Sequence, residues 1–167
     1  GGSGKPSLIR CLFDEPFDPD EAPTDGISIE EQLVQGDGKQ VKINSWDFGG
    51  REVMNTAHQL FLSPRSLYVL VLDGDQDERL EYWLRHIESF GGDSPVLIAL
   101  NKQDVTPGFM VNHRFLRCKY PYISGFFQVS CASGHGIAEF KEALVREVTG
   151  EQFSGTRWSK NWFTVKQ

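Results

Sequence analysis

Basic residues are in the minority: 17 Lys+Arg against 23 Asp+Glu leave this 167-residue chain with a formal charge of −6. A protein that grips nucleic acid needs a cationic face to displace counterions from the phosphates, so nucleic acid is excluded as the main partner. Long apolar runs are also missing. Leu67–Leu72 and Pro95–Leu100 are six residues each, far below the roughly 20 needed to cross a bilayer. No basic stretch leads into an apolar one near the start, so no secretion signal is expected. Cysteine is scarce and odd in number. Cys11, Cys118 and Cys131 share no metal-like spacing, which fits ordinary thiols in a reduced, cytosolic setting. There is no internal repeat and no low-complexity tract. What is present suits one globular domain: 39% of residues are hydrophobic and 12% aromatic, enough for a core.

The apolar residues are arranged in two ways. Leu67–Leu72 and Pro95–Leu100 are continuous rather than alternating, the pattern of strands buried on both faces of a parallel sheet. Phe126–Val129 is a third, shorter candidate. Ile27–Val34 and Gln40–Trp46 are extended runs separated by Gly36-Asp37-Gly38, a hairpin signal. Helical spacing recurs between them. It is found over Ser7–Phe13, in Tyr82, Leu84, Ile87 and Phe90 before Gly91-Gly92, over Phe109–Lys119, and in Ile137, Phe140, Leu144 and Val148 before Gly150. Strand and helix alternate, as in an α/β layered fold with right-handed crossovers. Asp14–Asp25 is an acidic, Pro-containing loop. Beyond Gly150 a linker leads to a short helical stretch at Asn161-Trp162-Phe163, capped by Ser159.

Four short motifs carry chemistry. Gly1-Gly2-Ser3-Gly4-Lys5-Pro6-Ser7 has the parts of a phosphate loop. Glycines let successive N–H groups face the phosphates, a lysine reaches the β and γ oxygens, and a helix start adds its dipole. Gly-Gly-Ser-Gly is equally an expression linker, so this string alone decides nothing. Trp46-Asp47-Phe48-Gly49-Gly50 ends a predicted strand. In such a pattern the Asp holds Mg²⁺ through water and the Gly offers its N–H to a γ-phosphate. Asn101-Lys102-Gln103-Asp104 follows a buried strand. Asp104 can accept two hydrogen bonds from guanine N1–H and the exocyclic amine, an arrangement adenine lacks. Lys102 would lie along the base, and Asn101 would tie this loop to the phosphate loop. Ser130-Cys131-Ala132 follows another strand and can present a backbone N–H to the guanine oxygen. Four motifs in this order, each at a strand end where open α/β sheets bind ligands, point to GTP and GDP.

With these residues the chain resembles the Ras-like Roc GTPase domains of Roco proteins, a group that includes bacterial Roco proteins and the leucine-rich repeat kinases. The likeness is strongest in Trp46–Glu52, His58-Gln59, Tyr82–Ile87 and Asn101–Asp104, and it runs from Gly1 to about Thr149. The tail Gly155–Val165, with its two Trp, resembles the start of the COR dimerisation domain that follows Roc. The resemblance implies a Ras-like P-loop fold, α/β, with a mostly parallel six-stranded sheet flanked by helices. Residues 1–150 would form the G domain, and 151–167 a linker and the start of COR. It implies GTP/GDP and Mg²⁺ as ligands, slow hydrolysis, a homodimer formed through COR and a cytoplasmic location. Thr24 takes the switch I threonine position, over Mg²⁺ and the γ-phosphate, and the acidic loop becomes switch I.

Three departures stand out. Pro6 occupies the place of a Ser or Thr whose hydroxyl binds Mg²⁺ and whose N–H meets the β-phosphate; proline has neither group. Its ring is acceptable in a first helical turn. Ser7 is the nearest hydroxyl, about 100° further round the helix. Arg51 stands where Ras-like enzymes carry a water-orienting Gln. It cannot act as a base at pH 7. Two roles remain equally open for it: stabilising charge on the transferring phosphoryl group, or a solvated bystander in a slow enzyme. Finally, the sequence starts inside the phosphate loop. The first glycine of the motif, and an apolar strand before it, are expected upstream of Gly1. The main reading is thus a GTP-hydrolysing switch, with a catalytically impaired GDP/GTP-binding module second and an ATP-using relative disfavoured by Asp104. His58, His86 and His135 have no ligand spacing, and Trp83 and Arg85 can leave the core face to touch a partner.

Overall fold

A computed structural model describes residues 2–22, 27–36, 39–48, 62, 64, 66–74 and 77–150. The elements run α1 (Lys5–Leu12), β1 (Ile27–Gly36), β2 (Lys39–Phe48), β3 (Tyr68–Leu72), α2 (Asp77–Phe90), β4 (Val96–Leu100), α3 (His113–Lys119), β5 (Ile123–Gln128) and α4 (Ile137–Thr149). Alternating strands and helices are what the mixed apolar patterning calls for.

β3, β4 and β5 form a parallel sheet with β4 in the middle. Every residue of Val96-Leu97-Ile98-Ala99-Leu100 is buried, as its unbroken apolar run requires. Alternate side chains serve two cores. Val96, Ile98 and Leu100 pack with Leu80, Leu84 and Ile87 of α2 and with Leu116 and Tyr120 near α3. Leu97 and Ala99 pack with Leu8 and Leu12 of α1 and with Phe140 of α4. Helices thus cover both faces, and each fully buried large side chain contributes roughly 1.5–3 kcal/mol. On α2 the buried residues recur at i, i+4 and i+7, one face of a helix. The Tyr122 hydroxyl donates to the Leu84 carbonyl at 2.6 Å, tying the start of β5 to α2.

β1 and β2 form a separate antiparallel hairpin, in register from Ile27↔Phe48 to Gly36↔Lys39. Six strands in one sheet are expected; the described residues hold five, in two sheets. Nothing among the described residues pairs with both β2 and β3, so the hairpin and the parallel sheet remain distinct.

Two boundaries differ from the sequence reading. α3 starts at His113, not Phe109, because the Asn112 side chain accepts from the Phe115 N–H at 3.0 Å and caps the helix there. β5 starts at Ile123, three residues before the predicted run, because Ile123 pairs with Val96 across a bulge between Val96 and Leu97. The helical stretch expected at 161–163, and all of 151–167, lie outside the described residues.

Candidate functional site

The C-terminal ends of β4 and β5 and the start of α1 meet at one edge of the parallel sheet. Gly4 precedes α1 in a left-handed conformation (φ 80°), and a Cβ there would stand 2.6 Å from the Asn101 Nδ2. Only glycine allows that approach without displacing Asn101. Lys5 is the first helical residue and Pro6 the second. The missing proline N–H falls where helix donors have no intrahelical partner anyway, so the turn tolerates it. Leu8 N–H bonds the Gly4 carbonyl at 2.9 Å and closes the first turn. Ser7 is buried at 8% exposure, so the hydroxyl that follows Pro6 is largely withdrawn from open solvent.

Asn101 is the junction. It is 2% exposed, and its Nδ2 donates to the Ser3 carbonyl at 2.9 Å. Its Oδ1 accepts from the Cys131 backbone N–H at 3.4 Å and from the Cys131 thiol at 3.5 Å. One buried amide thus joins the phosphate-loop candidate, the end of β4 and the loop after β5. The expectation that Asn101 ties its loop to the glycine turn holds. Burial of such an amide is tolerable because donor and acceptor are both used.

Asp104 is exposed at the rim. One of its oxygens accepts from the fully buried Ser130 hydroxyl at 2.5 Å. The same hydroxyl accepts from the Ser133 N–H at 3.2 Å, so the carboxylate is oriented by a side chain that is itself fixed. A carboxylate accepts about four hydrogen bonds, and Asp104 keeps acceptor capacity for a planar donor pair. Lys102 sits at φ 62°, an uncommon region for a side chain with a Cβ. Its ammonium pairs with Asp73 at 2.9 Å. Cys131 is buried, and burial, with neighbouring Cys11 second, pushes its thiol pKa up to about 12. Cys11 Sγ lies 3.7 Å from the Cys131 carbonyl oxygen. Ala132 is exposed in the same turn.

Two contributors escaped the sequence reading. Asp73 follows the apolar run of β3 directly, a strand-end acid that could have been marked as a partner. Gln103 braces the loop after β4: its Nε2 donates to the Phe109 carbonyl at 3.1 Å and its Oε1 accepts from the Gly108 N–H at 3.1 Å. Other expected site residues are not brought into this picture. Asp47 is placed only by its backbone, opposite Ser28 in the hairpin. Gly1, Thr24, Gly50 and Arg51 lie outside the described residues. Among the described residues no group of three or more His, Cys, Asp or Glu is arranged to hold a metal, and no helix is long and apolar enough to cross a membrane.

Known proteins are similar to this chain in sequence and fold. The family described as Ras of Complex, Roc, domain of DAPkinase matches residues 1–104. A solved structure, Methanosarcina barkeri Roco2 RocCORdC bound to GDP, superimposes with a TM-score of 0.85 at 50% identity, over 98% of this chain and 50% of that one. The probable serine/threonine-protein kinase roco5 of Dictyostelium discoideum is 33% identical over 157 residues, which is 86% of this chain and 6% of that protein. A Roc-COR-CHAT protease of Runella zeae is 27% identical over 137 residues, 74% of this chain and 15% of that protein. The chain therefore spans half or less of the length of these relatives. With its Ras-like α/β architecture and this match over more than half its length, the chain belongs to the Roc family, the Ras-like G domains of Roco proteins.

Proposed function

We propose that this domain binds GTP and GDP and hydrolyses GTP slowly, as a switch. The observation that carries the reading is the Asn101 junction, which draws the glycine turn, the Asn101–Asp104 loop and the Ser130–Ala132 loop to one sheet edge. In it Gly1, Gly2, Ser3 and Gly4 turn backbone N–H groups toward phosphates, and Lys5 neutralises the β and γ oxygens. Asp104 accepts from guanine N1–H and its amine, Lys102 lies along the base, and Ser130, Cys131 and Ala132 back it. Gly50 meets the γ-phosphate. Water attacks the γ-phosphorus in line, and positioning supplies most of the rate.

Mg²⁺ would be held by Asp47 through water and by Thr24. Pro6 offers no oxygen at the helix start and Ser7 is buried. The chain's own ligand set for the ion is therefore one hydroxyl short, and phosphate oxygens and water would complete it. When bound, the ion supplies neutralisation of charge on the phosphates. Arg51 either stabilises the transferring phosphoryl group or stays in solvent.

A second reading, a GDP/GTP-binding module that does not turn over, is favoured by Pro6. We read residues 151–167 as a linker and the start of a COR domain that would carry homodimerisation. The relatives named Roc-COR and RocCORdC support this order. A cytoplasmic location fits the free thiols Cys11, Cys118 and Cys131. The deciding experiment is a titration of fluorescent GDP and GTP with ATP as competitor, followed by multiple-turnover phosphate release with and without Mg²⁺. Binding without release selects the second reading; competition by ATP as strong as by GTP rejects both.

A further inference from the structure

Gln103, between Lys102 and Asp104, uses both ends of its side-chain amide inside its own loop. Its Nε2 donates to the Phe109 carbonyl at 3.1 Å and to the Leu100 carbonyl at 3.4 Å, and its Oε1 accepts from the Gly108 N–H at 3.1 Å. Two carbonyls at one end and an N–H at the other fix which way the amide points, since a flip would set donor against donor and oxygen against oxygen. The Gln103 backbone N–H donates to the Val129 carbonyl at 3.2 Å, just past the end of β5. The chain folds around this brace. The Lys102 carbonyl accepts from the N–H groups of Val105 and Thr106, both at 2.9 Å. Pro107 restricts one φ and Gly108 supplies a positive one, 79°, and Phe109 then packs against the α2 and α3 core. Val105 to Gly108 are exposed, so hydrogen bonds, not burial, hold the turn. One end of the brace is firm, because Leu100 is fully buried.

Asp104 stands in this turn, exposed, with one carboxylate oxygen held by the Ser130 hydroxyl. A carboxylate that reads two donors in one plane must be fixed in angle as well as place, because hydrogen bonds weaken steeply off line. Ser130 holds the tip of the side chain; Gln103 holds the backbone that carries it. We propose that Gln103 is a positioning residue for base specificity: it sets the angle at which Asp104 meets guanine N1–H and the exocyclic amine. This rests on the guanine-nucleotide reading above and adds to it a residue that acts through Asp104. Hypoxanthine separates the roles, since it keeps N1–H and lacks the exocyclic amine. A brace that served the fold alone would weaken guanine and hypoxanthine nucleotides alike. A brace that aims Asp104 acts on the preference between them.

The test measures displacement of fluorescent GDP by GDP, inosine diphosphate (IDP) and ADP from wild type, Gln103→Met and Gly108→Ala, with a thermal melt of each protein. Gln103→Met keeps length and approximate volume and removes the side-chain hydrogen bonds. Gly108→Ala leaves Gln103 intact; a Cβ there meets nothing within 4 Å, so it strains only the positive φ of the turn. Wild type should hold GDP at least about tenfold tighter than IDP. Both variants should shrink that ratio about threefold or more, while the melting temperature falls by only about 2–4 °C. An unchanged ratio in folded Gln103→Met overturns the proposal, whether or not the two affinities fall together. Where Gln103→Met does not fold, Gly108→Ala decides by the same ratio. If wild type does not favour GDP over IDP and ADP, the guanine-nucleotide reading is wrong and the positioning role falls with it. If wild type favours GDP and the variants keep its ratio, the positioning role alone falls.

Discussion

Asn101 Nδ2 donates to the Ser3 carbonyl at 2.9 Å across 98 positions of sequence. Its other end holds Cys131, so the phosphate and base halves of the candidate pocket share one buried side chain. Asn101→Ala should cost about 1–3 kcal/mol, because the buried Cys131 N–H loses its acceptor. Asn101→Asp keeps that acceptor but sets an oxygen against the Ser3 carbonyl oxygen. Its loss of guanine-nucleotide affinity should exceed its loss of stability. Urea unfolding and fluorescent-nucleotide titration of the two variants check this. Affinity and stability falling in proportion in both would reduce Asn101 to a core residue.

Gly136 starts α4 at φ 69°, where a Cβ would run into the Gln128 carbonyl oxygen at the end of β5. Gly134 has a similar φ of 75° and open space around it. Gly134→Ala should therefore cost only the left-handed penalty, about 1–2 kcal/mol. Gly136→Ala adds a backbone clash and should cost about 3 kcal/mol or more. Thermal melts of the pair separate conformation from collision. Equal costs would mean that α4 can move away from β5 freely.

Much of this was legible because burial leaves an unbroken signature. Val96–Leu100 is apolar at every position, and the polar tetrad that follows runs from the buried Asn101 to the exposed Asp104 at the rim. Both the strand and its polar end could therefore be read from the sequence. Less direct signals misled. Phe109 and Val111 continue the spacing of α3, yet both pack against the α2 side of the core from a non-helical loop, and the cap at Asn112 sets the true start. The apolar run marks a strand only from Phe126, yet Ser124 and Gly125 lie inside β5, because pairing with β4 outweighs local preference. The Lys102–Asp73 pair joins two strand ends 29 positions apart, a contact set by parallel register and not by any local pattern.

Pro6 and Arg51 are substituted positions in the Ras-like pattern, and each has its own variant. Pro6→Thr supplies the missing hydroxyl and N–H. It should raise Mg²⁺ dependence of nucleotide binding and raise turnover, read by phosphate release across a Mg²⁺ titration. No change in either would mean that the hydroxyl is supplied from elsewhere. For Arg51, single-turnover hydrolysis distinguishes the two roles. A charge-stabilising arginine loses about 10³-fold or more when changed to Ala; a bystander loses nothing.

His113 stacks on Phe126 at 4.2 Å between centroids and an interplanar angle of 14°. Among the described residues its buried Nε2 has no hydrogen-bond partner. Burial first, then the Arg117 charge, lowers its pKa from the ordinary 6.5. The charged and titratable neighbours across the adjoining cleft are His135 and Glu139 of the α4 side. Because the folded-state pKa is depressed, the unfolded chain takes up the proton first as pH falls. The neutral ring's contribution is complete above about pH 6.5 and is lost below it, down to the folded pKa. His113→Phe keeps the stack and removes the titration, so its denaturation midpoint should fall less than that of wild type between pH 7 and 5. Parallel decline of the two proteins would assign the acid sensitivity elsewhere.

Thiol reactivity gives a last test of the base loop. Cys118 is exposed on α3, whereas Cys131 is buried with a pKa near 12. Burial keeps the Cys131 thiol protonated and out of reach of reagent, whereas Cys118 stands open to it. Maleimide should therefore label Cys118 within minutes and leave Cys131 unmodified until the loop opens. Peptide mass mapping over time resolves the two sites. If guanine nucleotide closes this pocket, adding GDP should slow Cys131 labelling further while leaving Cys118 unchanged. ATP at the same concentration should do neither, since Asp104 offers adenine no complementary pair. Early labelling of Cys131, or equal protection by ATP, would show that the Ser130–Ala132 loop does not back a guanine base.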